Sequence, residues 1–176
     1  MRRVLLLSFL ACALFAAPVN RGLVAAVEVA MNKRVEALVP GESFLLMGHT
    51  HGVYLDGFGC VFTTRVNLAE GPAPGPFLKT LPEPVKAALH KKKLERVPLL
   101  RTAMREMLVS AAAVMDPVPT SEKMVLSVSL VYWPHEDASG LPTQIVMQAQ
   151  RKVLMGYMMS GADKSALEQQ IQVREY

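Results

Sequence analysis

The chain has 176 residues, 51% of them apolar, and a formal charge of +4. That is enough for one ordinary domain with a real core, and too weak a charge to indicate a nucleic-acid binder. Its two cysteines, Cys12 and Cys60, flank opposite sides of an export boundary argued next.

Met1-Arg2-Arg3 is a short basic start, followed by an apolar run from Val4 to Ala17 that Pro18, Asn20, Arg21 and Gly22 break. A basic start, a short apolar core and a small-residue exit are what a signal peptide needs. The run falls short of the roughly 20 apolar residues of a spanning helix, so no stable membrane span is expected in the mature chain. Residues 1–26 are read as the signal, cut somewhere between Ala16 and Ala26, residues 27–160 as a single α+β domain, and residues 161–176 as a polar C-terminal helix or tail. The mature chain is then secreted or periplasmic and keeps Cys60 alone, so it holds no intrachain disulfide.

In chain order, Asn20 is placed to cap a helix from Arg21 to about Leu38, with Val24, Val27, Met31, Val35 and Leu38 on one stripe and Pro40-Gly41 at its end. Asp56-Gly57 then sits between two β-rich runs, a hairpin signal. A two-residue turn pairs Leu55 with Phe58, Val53 with Cys60 and His51 with Phe62. It puts His49, His51, Val53, Leu55, Cys60 and Phe62 on one face, with Thr50, Tyr54, Thr63 and Arg65 on the other. A Gly/Pro loop from Glu70 to Pro76 leads to a helical region from Pro82 to Met115, which Pro98 divides or bends. Lys123–Tyr132 and Thr143–Ala149 alternate as strands around a turn-rich loop. Helices are expected over Gln150–Met159 and Ala162–Val173.

The predicted order is helix, hairpin, helix, hairpin, helix. It indicates the α+β class: an antiparallel sheet of two hairpins with helices packed against it. Element order alone makes this similar to profilin- or roadblock-like domains, an analogy that carries no function.

Gly48-His49-Thr50-His51 after a strand resembles the last metal-binding motif of calcineurin-like metallophosphoesterases. The other motifs of that family have no counterpart before His49, so the assignment is rejected. A separate site remains conceivable, since two histidines and the Cys60 thiolate suit zinc with one position open. His135-Glu136-Asp137 is a loop cluster with acid–base potential. The stretch Lys79–Glu106 is rich in lysine and arginine, which reads as a solvated helix face, with anionic lipid contact near Lys91–Lys93 as the weaker reading. Gly57–Thr63 and Gly140–Gln148, taken with the signal, resemble segments of an uncharacterised family of predicted secreted bacterial proteins. That resemblance implies export and no activity.

No complete catalytic set is visible, and no metal or other cofactor is assigned. The sequence therefore predicts an exported, non-catalytic domain that acts by self-association or by binding a protein or other partner of the cell envelope. The alternative is a small metal-dependent hydrolase centred on His49 and His51.

Overall fold

The computed structural model describes residues 19–41, 45–72, 80–160 and 169–176. The apolar segment up to Pro18, which the sequence reading takes as part of an export signal, lies outside the described residues. The protein is α+β; its described residues form helices α1, α2 and α3 and a mixed sheet.

Helix α1 (Arg21–Glu36) starts as the sequence indicates. The Asn20 side chain accepts the Gly22 N–H at 2.8 Å, satisfying one of the free donors of the first turn. Val24, Val27, Met31 and Val35 are buried, so core packing begins with the second turn's worth of chain after Asn20. Helix α2 (Glu83–Val114) runs unbroken through Pro98. Pro98 is exposed, so the carbonyl it leaves unbonded sits on the solvent side of the helix, where water can satisfy it. The expected stripe of Val97, Leu100, Met104, Met107, Leu108, Ala111 and Met115 is buried throughout. Helix α3 spans Arg151–Ser160.

The sheet consists of β1 (Leu45–Leu46), β2 (His51–Leu55), β3 (Gly59–Asn67), β4 (Lys123–Leu130), β5 (Gln144–Gln150) and β6 (Gln172–Glu175). Strands β1 and β2 pair with β3 one after the other, so together they make a single interrupted edge. From there the order is β3, β4, β5, β6.

Three expectations are corrected. The sheet is mixed, because β3 and β4 run parallel from Gly59↔Lys123 to Val66↔Leu130. Helix α2 carries the chain back to the start of the sheet, which is how parallel neighbours must be joined. The two hairpins β2–β3 and β4–β5 are antiparallel as anticipated. Second, the chain end is a strand where the sequence suggested helix up to Val173. Gln172–Glu175 pairs with β5, and its partner strand supplies the bonds a polar helix would make internally. Of that expected helix, Gln169 and Gln170 are helical and the portion 162–168 lies outside the described residues. The profilin-like analogy rested on an element order that the parallel crossover and this last strand both change.

The third correction is the hairpin register. A two-residue Asp-Gly loop needs positive φ at both residues. Gly57 has φ 76°, but Asp56 is not in that region. The turn instead closes with Phe58 N–H donating to Leu55 O at 3.0 Å, and pairing resumes at Leu55↔Gly59. The slip is one residue, and in a strand one residue exchanges the two faces. Gly52 and Tyr54 now face the core beside Phe62 and Cys60, while His51, Val53 and Leu55 turn outward. A Cβ on Gly52 would lie 2.6 Å from the Phe62 ring and 2.7 Å from Val24, so this register needs glycine there.

Helices α1, α2 and α3 serve one face of the sheet. The strand residues in the core are Cys60, Phe62, Val66, Met124, Leu126, Val128, Leu130, Ile145, Met147 and Ala149, all of one parity. The helix stripes close over them.

Candidate functional site: the outer face of the sheet

The opposite parity forms the second face, and no helix residue of the core lies on it. Register builds it row by row. His51, Thr63, Ser127, Val146 and Arg174 lie side by side across the strands. The next row is Val53, Val61, Val125, Gln148 and Gln172. Arg65, Ser129 and Gln144 form a row on the other side of His51. Lys123 lies beyond Val125, with its ammonium 5.5 Å from the Phe58 ring centroid. Val53, Leu55 and Phe58 are 49%, 47% and 40% exposed, a high value for apolar side chains on a strand pair. The charged side chains that these strands project onto this face are Arg65, Lys123 and Arg174, and none of its described strand positions carries a carboxylate.

The interruption between β1 and β2 opens a recess at the edge of this face. It has a volume of about 450 Å³ and is lined by Met47, Gly48, His49, His51, Thr63, Thr64, Arg65 and Ser129. Its walls are held from behind. Asn32 of α1 accepts the Thr50 N–H at 2.9 Å and the Thr50 hydroxyl at 2.7 Å, and its amide lies 3.4 Å from His49 Nδ1. Glu28 accepts the Gly52 N–H at 2.7 Å and is gripped at both oxygens by Arg21. Burial by itself would raise the Glu28 pKa. The Arg21 guanidinium, the Gly52 N–H and the charge of His51 outweigh it and hold the carboxyl below its ordinary value. Glu28 thereby occupies the outward Gly52 N–H of β2, a group that an edge strand would otherwise leave open to foreign pairing.

The structure brings His49 and His51 to one recess but leaves Cys60 on the other side of the sheet. Cys60 is fully buried, and its thiol is pushed up to about 11 by burial and by the nearby Glu122 carboxylate, so it is a poor ligand and a poor nucleophile. The expectation that His51 and Cys60 share a face fails with the register that produced it. Among the described residues no three His, Cys, Asp or Glu side chains stand where they could hold one metal ion.

The His135-Glu136-Asp137 loop is tied down. Lys93 Nζ donates to Glu136 Oε2 at 2.6 Å, and both side chains are buried. The same oxygen accepts the Trp133 N–H at 2.9 Å. Lys93 also lies 5.1 Å from the Tyr132 ring centroid, and the Tyr132 hydroxyl donates to Pro142 O. His90 Nδ1 lies 3.0 Å from Asp137 O. The basic stretch is therefore not a uniform solvated face: Lys93 and Arg96 point inward, Arg96 donating to Leu68 O at 2.7 Å. Lys91 remains outside, 4.0 Å from Glu95.

Arg65 and Ser129 are the members of the recess that sequence reasoning missed as candidates. Their alternation was visible, but only the corrected register sets His51 beside Thr63 and near Arg65. No helix among the described residues is long and apolar enough to cross a membrane. No family model, no curated protein and no solved structure matches this chain.

Proposed function

We propose that the chain is an exported, non-catalytic domain that works by association, and that the outer sheet face is where its cell-envelope partner sits. One observation carries this reading: the face combines exposed Val53, Leu55 and Phe58 with Arg65, Lys123 and Arg174 and carries no balancing carboxylate at its described strand positions. Apolar contact supplies the attraction and the charges select the partner. The same charges argue against two copies meeting face to face, since like charges would be brought together. An envelope partner is therefore preferred to self-association through this surface.

The export signal of residues 1–26 belongs to this proposal, with the mature protein secreted or periplasmic. Burial of Val24 and Val27 favours cleavage after Ala16 over cleavage after Ala26, because the later cut would strip the first turns of α1 from the core. The hydrolase alternative centred on His49 and His51 has no third ligand among the described residues and is not favoured.

Cosedimentation of the exported protein with isolated cell envelopes tests the reading. The wild type should pellet with them as a monomer by light scattering, and Val53→Asp/Leu55→Asp should stay in the supernatant with an unchanged unfolding midpoint. A wild type that remains soluble, or a variant that pellets equally, would overturn it.

A further inference from the structure

We infer that the recess at the interrupted edge binds an oxyanion of the phosphate class, carried by a free phosphate, a phosphate ester or an envelope headgroup. The inference rests on the association reading above and names the chemistry that the outer face would recognise.

Arg65 offers a planar guanidinium, Ser129 a hydroxyl, and His49 and His51 ring nitrogens, all around one cavity. No hydrogen bond or ion pair among the described residues engages the Arg65 guanidinium, the Ser129 hydroxyl or the His51 ring. A group of donors left unused around one recess, with no acid lining it, is arranged for an acceptor with several oxygens. The nearby Glu28 carboxylate, which feels the charge of His51, directs its hydrogen bonds to Arg21 and the Gly52 N–H. A carboxylate ligand presents its oxygens in one plane. A tetrahedral phosphoryl group can face the guanidinium from one side and the Ser129 hydroxyl and the imidazoles from others, which suits donors arranged around a cavity. The volume of about 450 Å³ leaves room for a small substituent on the phosphate.

The recess is also preorganised. Asn32 holds the backbone and hydroxyl of Thr50 and reaches His49, and Met47 N–H donates to Arg65 O at 2.8 Å, so both sides of the gap are anchored. A ligand would not have to pay for ordering the loop that receives it.

Heteronuclear NMR titration of the purified protein decides the matter, with inorganic phosphate, glycerol phosphate and sodium chloride at matched ionic strength. Flotation with phosphatidic acid or phosphatidylcholine vesicles forms the second arm. Shifts confined to residues 47–51, 63–65 and 129 that saturate with phosphate or its ester but not with chloride are expected. Arg65→Gln should weaken binding about tenfold or more, and Ser129→Ala less, as loss of a charge-assisted and of a neutral hydrogen bond predict. Flotation with phosphatidic acid alone would identify a headgroup as the source, whereas soluble binding without flotation would identify a small phosphate. Absence of saturation up to about 10 mM of every probe, or equal affinity in folded Arg65→Gln, would overturn the inference. Envelope binding without phosphate binding defeats this inference alone, and phosphate binding without envelope binding defeats the association reading alone.

Discussion

The two faces of the sheet are built from neighbouring residues of the same strands, yet they obey different rules. In β3, Cys60, Phe62 and Val66 are wholly buried under α1 and α2, while Thr63 and Arg65 between them are exposed. The helix side is filled and intolerant of change. The outer side leaves part of its apolar surface exposed, together with the Arg65 guanidinium and the Ser129 hydroxyl. A protein that needed only to fold would have little reason to leave Val53 and Leu55 half exposed, and this contrast is what directs function to the outer face.

Substitution on the two faces should separate these roles. Phe62→Ala is expected to cost about 3–5 kcal/mol by denaturant unfolding, since it empties a fully buried ring site between α1 and the sheet. Lys93→Met should cost a similar about 3–5 kcal/mol, because Glu136 would be left charged and buried with its other oxygen already lacking a partner. Lys93→Met combined with Glu136→Leu should recover most of that loss; a double variant as unstable as the single one would show that Lys93 matters for packing instead. Asn32→Ala removes two hydrogen bonds to Thr50 and the contact with His49 and should cost about 1–2 kcal/mol, loosening the recess. Val53→Ala on the outer face should fall within about 0.5 kcal/mol.

Acid provides a finer probe of the latch between α1 and β2. The folded pKa of Glu28 lies below its ordinary value. Its contribution is therefore fully present above the ordinary carboxylate range and is lost as pH falls through the depressed value. Glu28→Gln should flatten the acid side of the stability curve; an unchanged slope would mean that the Arg21 pair contributes little. Cys60 gives the smallest signal. Its thiol, pushed up to about 11, should resist alkylation in the native protein and react only after unfolding.

Local patterns anticipated much of this. The cap at Asn20, the apolar stripes of α1 and α2 and the alternation in β4 and β5 depend on residues close in sequence, and all appear as read. The basic stretch was legible only as composition. That Lys93 and Arg96 turn inward depends on the Glu136 and Leu68 groups that meet them from elsewhere in the chain.

What the sequence determined by itself was therefore the helices, the strand-forming segments and the α+β class, because hydrophobic period and capping act over one or two turns. Tertiary structure alone decided the parallel β3–β4 pair, the strand at the chain end and the register of the first hairpin. Each depends on a partner that lies far along the chain, or on which glycine accepts a positive φ. The last of these matters most here. One residue of slip carried His51 away from Cys60 and set it beside Thr63, in the recess that Arg65 and Ser129 also line.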